Sequence, residues 1–397
     1  MLKIVKTENG LVRGLSGNNA RISVFKGIPF AAPPVGENRW RAPQPASNWE
    51  GIRDCYKFAP ISVQDTPGLG TDVYCKEWHV DPEIEIGEDN LYLNIWTPAK
   101  TTDEKLPVLV WFFGGAFQWG YTPEMEFNGE NLAKKGIIVV TVNYRLGALG
   151  FLAHPEVKAE SPDAPANFGL LDQQAGLKWV IRNISNFGGD PSNITIAGQS
   201  AGGGSTLSHF TSDKSKGLFQ RAIIFSGIIE SPYIRDGVIT PRTFDEAAEY
   251  GKEFFELLGV KSLDEARKLD AEFIRDKQAE FRNTKGFFFT PVIDGIYLED
   301  EPFKRFIQGK HANVPVLAGN TEDEFPSFIF AENEADFKAK AAEIFGEKAS
   351  EFLSYPEANK VENNNCYAKS HGIEASVKAA IAHNDAPSYY YCFEPDI

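Results

Sequence analysis

A largely parallel α/β fold is what this sequence predicts, and three observations predict it. Apolar strand-like runs alternate with helical patterns, the layout that places helices on the faces of a parallel sheet. A serine flanked by glycines, Gly198-Gln199-Ser200-Ala201-Gly202, falls between one such run and the small-residue stretch Gly203-Gly204-Ser205. A double glycine, Gly114-Gly115, closes another run. The 397 residues are 42% hydrophobic and 13% aromatic, enough to bury a large core within one α/β unit.

Taken in order, the first hundred residues carry many turn signals, among them Asn18-Asn19 and Pro33-Pro34, and read as short antiparallel strands. Leu106-Pro107-Val108-Leu109-Val110-Trp111-Phe112-Phe113 reads as a buried strand, and Ile137-Ile138-Val139-Val140-Thr141-Val142 as a second. Residues 170–184 turn helical, with Leu171, Ala175 and Trp179 at i, i+4 spacing. Ile194-Thr195-Ile196-Ala197 leads into the serine turn, and Ala222-Ile223-Ile224-Phe225 is a further strand. Residues 243–283 shift to a charged, helical composition, with two capping-box patterns, Thr243-x-x-Glu246 and Ser262-x-x-Glu265. They predict a helical insertion over the active-site end of the sheet, as a plain insertion or a mobile lid. Strand returns at Val314-Pro315-Val316-Leu317-Ala318 and at Tyr389-Tyr390-Tyr391-Cys392-Phe393, with a helical segment over residues 368–382 between them.

The formal net charge is -15. Such an acidic surface repels phosphate backbones and argues against a nucleic-acid partner; solubility accounts for it. No apolar run approaches the ~20 residues that span a bilayer. The start, Met1-Leu2-Lys3-Ile4-Val5-Lys6, has neither a long apolar stretch nor a small-residue cleavage site, so no signal peptide is expected. Cys55, Cys75, Cys366 and Cys392 form no metal-ligand spacing. Free thiols in a reducing cytoplasm are the expectation, with a Cys55–Cys75 bridge as the alternative.

The serine turn has the pattern of a nucleophile elbow, in which a sharp strand-to-helix turn holds the serine hydroxyl clear of the backbone. Side chains at the two glycine positions would collide with the turn. Ser200 is therefore the candidate nucleophile, and the amide of Ala201 points at the space where an oxyanion would form. Gly114-Gly115-Ala116-Phe117 fits a glycine-rich oxyanion loop; a purely structural turn is the competing reading. An acid is expected in Gly319-Asn320-Thr321-Glu322-Asp323-Glu324, which follows a strand and offers three carboxylates. The base is harder to place. Only His371 and His383 follow this acidic segment, and His371 falls inside a helical segment ahead of the last strand. His79, His154, His209 and His311 have the wrong order and read as core or surface histidines.

These residues, with several further motifs, resemble the type-B carboxylesterase/lipase family, which includes bacterial para-nitrobenzyl esterases, animal carboxylesterases and cholinesterases. Phe25-Lys26-Gly27-Ile28-Pro29-Phe30-Ala31-Ala32-Pro33-Pro34-Val35-Gly36 resembles the family's opening motif. Glu88-Asp89-Asn90-Leu91-Tyr92-Leu93-Asn94-Ile95 resembles its E-D-C-L-Y-L-N signature. Asn143-Tyr144-Arg145-Leu146-Gly147, Asn167-Phe168-Gly169-Leu170-Leu171-Asp172-Gln173, Phe187-Gly188-Gly189-Asp190-Pro191, Ser226-Gly227 and Pro291-Val292-Ile293-Asp294-Gly295 are family-like as well. The similarity runs over the whole chain, and it implies a single α/β-hydrolase domain over residues 1–397.

The resemblance assigns roles. Ser200 is the nucleophile; Gly114, Gly115 and Ala201 form the oxyanion hole; Glu324, the final carboxylate of its segment, is the triad acid. Asn90 stands where the family has a signature cysteine and Ser62 at the usual partner position, so the family's first disulfide is absent. Phe113 and Ala116 depart from the family's loop without removing a backbone donor. In the family a strand like 389–393 precedes the catalytic histidine, so the resemblance implies that this chain is truncated and that a separate C-terminal segment carries the base and closing helices. The implied reaction is carboxylic ester hydrolysis through an acyl-enzyme on a small-molecule ester, without metal or organic cofactor, in a bacterial cytoplasm. Phe117, Trp119 and Phe287-Phe288-Phe289 are candidates for an apolar substrate pocket or for core. The alternatives are a non-catalytic binding protein on the same scaffold and an inactive fragment lacking its histidine.

Overall fold

The computed structural model describes residues 1–65, 83–228, 241–286, 288–322, 324, 333–354 and 364–394. Fourteen strands are described, the longer of them where β-branched and aromatic residues cluster. They are β1 Ile4–Lys6, β2 Leu11–Arg13, β3 Leu15–Ser16, β4 Ser23–Pro29, β5 Ile52–Asp54, β6 Tyr92–Thr97 and β7 Leu106–Phe112. The remainder are β8 Ile138–Val142, β9 Gly189–Gln199, β10 Arg221–Phe225, β11 Arg242–Thr243, β12 Val292–Ile293, β13 Val316–Thr321 and β14 Ser388–Phe393.

Nine of these strands make the central sheet, in the order β14-β13-β10-β9-β7-β8-β6-β4-β3. From β14 to β8 all pairings are parallel; β6, β4 and β3 extend the sheet antiparallel. This is the mostly parallel sheet the alternation of runs predicts. Parallel pairing sends the ends of β7, β9, β10 and β13 to one edge, where open α/β sheets build their sites.

Side chains alternate across the sheet. Val110, Phe112, Ile194, Ile196, Ala222 and Ile224 face one core, covered by the helices Phe168–Asn183, Ala201–Thr211 and Asn364–Ile381. On the other face Leu109, Trp111, Ile223 and Phe225 line a groove of about 480 Å³ with Phe127 and Leu132.

The N-terminal region departs from the expected antiparallel pairing at one point. β1 pairs antiparallel with β2, but β5 joins β2 in parallel. The excursion over residues 14–51 is long enough for a crossover, which parallel neighbours require.

β11 and β12 pair in parallel and bracket the inserted helices Phe244–Leu258, Leu263–Ala266 and Ala271–Lys285. The Thr243–Glu246 capping box forms in full. The second is one-sided: the Ser262 hydroxyl accepts from the Glu265 amide, but the Glu265 carboxylate accepts from the amide of Lys261. Arg267 ties the insertion to the body. Its guanidinium grips Glu160 at 2.7 and 2.8 Å, and Arg41 holds the same carboxylate at 2.7 Å.

Candidate active site

Ser200 sits between β9 and the helix Ala201–Thr211 at φ 56°, ψ -125°, a strained backbone for a residue with a side chain. Its amide donates to Phe225 O at 2.9 Å, which locks the turn onto the end of β10. The flanking glycines are required by contact. A Cβ on Gly198 would lie 2.2 Å from Gly202 O, and one on Gly202 only 2.1 Å from Phe112 O. The turn is thus pressed against β9's neighbour, β7. No described residue hydrogen-bonds the Ser200 hydroxyl.

The loop after β7 lies directly over this turn. A Cβ on Gly114 would come within 3.2 Å of the Ser200 Cβ. Gly115, Ala116 and Phe117 all have positive φ (103°, 54° and 61°), so the backbone curls left-handed around the serine. That curl is closed by the amides of Gln118 and Trp119, both donating to Gly115 O at 2.9 Å. The amides of Gly114, Gly115 and Ala201 bond to nothing among the described residues. Ala201 N–H is an unpaired first-turn donor by the geometry of any helix. Three unpaired donors around one serine are suited to receive a developing negative charge.

Glu324 follows β13. Its Oε2 accepts three hydrogen bonds: from Thr321 N at 2.6 Å, Thr321 Oγ1 at 2.8 Å and Ser226 Oγ at 3.1 Å. Ser226 follows Phe225, the residue whose carbonyl receives the Ser200 amide, and its own amide donates to Gly319 O at 2.9 Å. The Ser200 turn and the Glu324 carboxylate are therefore linked through two adjacent residues of one strand end. Sequence reasoning had not given Ser226 and Thr321 this role. Their hydroxyls next to an acidic segment were the available signal, but only the β10–β13 pairing joins them.

The histidines divide by position. His209 lies nine residues past Ser200 on the same helix, about 13 Å along its axis. Its ring is fully buried among Gln173, Ser215 and Tyr297, and burial holds its pKa down at about 3. His154 accepts from the Glu156 amide and stacks on Phe255 at 4.0 Å. His311 bonds the carbonyls of Ala312 and His383. These three are structural, as their chain order implied. His383 stands just before β14, at the sheet edge opposite Ser200, since β13 and β14 run parallel. His371 falls on the helix Asn364–Ile381, but its side chain lies outside the described residues, as do His79 and Asp323.

The aromatic candidates turn out to be mainly core. Phe117 packs edge-on to Phe151, and Phe288 and Phe289 pack with Phe281 of the insertion. Phe287 is outside the described residues. Trp119 is partly exposed beneath the Arg282 guanidinium. Cys55 is a free buried thiol, pushed up to about 12 by burial, and Cys392 is free and exposed; Cys75 and Cys366 carry no description of their side chains. Among the described residues no cluster of His, Cys, Asp or Glu could hold a metal, and no helix is long and apolar enough to cross a membrane.

The model of the carboxylesterase family matches residues 2–388. The chain belongs to the carboxylesterase family. It is 35% identical over 405 residues to para-nitrobenzyl esterase of Bacillus subtilis, covering 98% of this chain and 76% of that protein. It is 36% identical over 363 residues to fumonisin B1 esterase of Sphingopyxis macrogoltabida, covering 87% of this chain. The chain spans 62% of that relative's length. Among solved structures, a PNB esterase superposes with a TM-score of 0.81 at 32% identity, covering 100% of this chain and 80% of that one. The α/β-hydrolase architecture is thus common to this chain and its carboxylesterase relatives.

Other family-like motifs build the frame. Arg145 and Asp172 form a buried pair at 2.8 and 2.7 Å, tying the segment after β8 to the helix Phe168–Asn183. Asn167 grips Val292 and Asp294 across the insertion's exit.

Proposed function

We propose that this chain forms the catalytic body of a serine carboxylic ester hydrolase acting on a small-molecule ester. The observation that carries the reading is the convergence on one sheet edge of a strained serine, three unbonded amides and a carboxylate held by Ser226 and Thr321. Ser200 Oγ attacks the ester carbonyl as a histidine takes its proton. The amides of Gly114, Gly115 and Ala201 hold the oxyanion; the loss of one such donor typically costs ~10²–10³ in rate. The histidine then protonates the leaving alcohol, and water activated by the same base releases the acid. Glu324 orients that histidine and stabilises its cation, with Ser226 and Thr321 holding the carboxylate. No step calls on a metal or organic cofactor.

The proposed base is a histidine on a C-terminal segment of the same protein, with His371 as the alternative within the chain. The whole chain then acts as one hydrolase domain, with residues 243–283 as a helical insertion beside the site. The free thiols of Cys55 and Cys392 support a reducing, cytoplasmic setting.

The test is labelling with a fluorophosphonate probe, mass mapping of the modified residue, and turnover of a nitrophenyl ester. Labelling at Ser200 and loss of turnover in Ser200→Ala are expected. Turnover that survives Ser200→Ala would sink the proposal. A chain that labels only after addition of a C-terminal segment places the base on that segment. Silence in both cases favours a binding protein on this scaffold.

A further inference from the structure

We propose that Gln278, on the third inserted helix, is a positioning residue for the oxyanion loop, so that the insertion sets the geometry of the amides rather than only roofing the site. The inference rests on the assignment of Gly114 and Gly115 as oxyanion donors.

The loop's own bonds to Gly115 O close a strained curl. Two successive non-glycine residues, Ala116 and Phe117, are left-handed at φ 54° and 61°. Each such residue costs about 1 kcal/mol or more and persists only when its surroundings enforce it. Part of the restraint comes from the body: Tyr144 Oη donates to Phe113 O at 2.8 Å, Gly147 N to Phe117 O at 2.8 Å, and Gly120 N to Gln64 Oε1 at 3.0 Å.

The rest comes from the insertion. Gln278 Nε2 donates to Gln118 Oε1 at 2.9 Å, and Gln118 Nε2 donates to Phe289 O at 2.7 Å. Gln278 Oε1 in turn accepts the amide of Ala148 at 2.6 Å. Gln118 is buried and lies three residues beyond Gly115. One chain of hydrogen bonds therefore runs from the body at Ala148, through the inserted helix, into the oxyanion loop and out to Phe289. The amide of Gln278 sits so close to Gly147 that a Cβ there would meet Oε1 at 2.3 Å, and Gly147 needs its own φ of 53°. One helical turn further on, Arg282 stacks 4.8 Å over Trp119 and shares Asp65 with the indole N–H, both at 3.0 Å. The inserted helix thus touches two successive loop residues through two independent sets of contacts.

Replacing Gln278 by leucine keeps the bulk and removes both bonds, leaving the buried Gln118 Oε1 and Ala148 N–H unpaired. The loop amides act on charge that develops in the transition state, so their displacement lowers kcat and leaves KM nearly unchanged. The expected loss in kcat for Gln278→Leu on a nitrophenyl ester is 10–100-fold, below that for outright loss of one donor. KM should stay within about 3-fold. Gln278→Glu retains an acceptor for Ala148 but sets a carboxylate oxygen against Gln118 Oε1, and a flipped Gln118 would lose its bond to Phe289 O, so this variant should lose rate as well although its bond to the body survives.

The second readout needs no turnover. Hydrogen exchange of a peptide covering residues 113–121 should quicken in Gln278→Leu, while peptides of β9 and β10 keep the native rate. A fall in kcat with faster loop exchange supports the inference. Unchanged kcat and unchanged loop exchange overturn it, as does a rise in KM with kcat intact. A wild type inert toward esters both alone and with a C-terminal segment added speaks against the hydrolase proposal alone; the exchange comparison then still decides whether Gln278 fixes the loop.

Discussion

Two glycines, two residues apart on the elbow helix, should respond to the same substitution with opposite signs. In an open helix, Gly→Ala stabilises by about 1 kcal/mol through backbone entropy. Gly204 allows that gain: a Cβ there would meet only Phe117 Cζ, at an ordinary 3.6 Å. At Gly202 the same Cβ would lie 2.1 Å from Phe112 O and 2.7 Å from Phe113 O, both backbone atoms that cannot rotate away. Forcing the helix off β7 costs about 3 kcal/mol, at the upper end for overpacking, so the net loss is about 2 kcal/mol. Unfolding 397 residues at about 2.1 cal/mol/K each gives an entropy near 0.8 kcal/mol/K, so Tm should fall by about 2–3 °C in Gly202→Ala and rise by about 1 °C in Gly204→Ala. The functional effect is larger, because Phe112 and Phe113 lead straight into Gly114. Fluorophosphonate labelling of Ser200 in the complete protein should slow about 100-fold in Gly202→Ala, the size of one lost oxyanion donor. Scanning calorimetry and labelling kinetics read both quantities. Equal Tm changes in the two variants, or native labelling in Gly202→Ala, would refute the reasoning.

Further expectations concern the acid, the buried ion pair and the buried histidine. Glu324→Gln can keep the bonds from Ser226 and Thr321, so Tm should stay within about 1 °C while ester turnover in the complete protein drops roughly 10³–10⁴-fold; retained turnover would reassign the acid. Asp172→Asn strands the Arg145 guanidinium in the core, and urea unfolding should show a loss of about 3–5 kcal/mol; a loss under 1 kcal/mol would show that the pair is not a desolvated one. Burial holds His209 near 3, well below the usual 6.5, so the unfolded state binds its proton first. Its contribution is complete above about pH 6.5 and declines as pH falls toward 3, by up to about 1.4 kcal/mol per unit. Stability of the wild type should therefore drop more steeply from pH 7 to 5 than that of His209→Gln, in parallel denaturant titrations.

Much of the site was legible in the chain because its chemistry is local. A five-residue turn needs glycine on either side of Ser200, and a loop that leaves the amides of Gly114 and Gly115 unbonded needs glycine as well. Both requirements act over a few residues and so leave a mark in the sequence. Strand runs were legible for the same reason, since a two-sided parallel sheet demands continuous apolar segments. The parallel docking of β5, the one-sided cap at Ser262 and the packing of Phe288 and Phe289 into the insertion were not legible. Each depends on which distant segment lies alongside.

The sequence by itself determined the fold class, the serine turn and the glycine loop after β7, because backbone sterics and hydrophobic periodicity act on neighbours along the chain. Tertiary structure decided which hydroxyls grip Glu324, that Gly202 presses on β7, that His209 is buried, and that Gln278 reaches the loop after β7 from 160 residues away. Those are contacts between strand ends and helices that meet only when the sheet has assembled, and no local pattern encodes them.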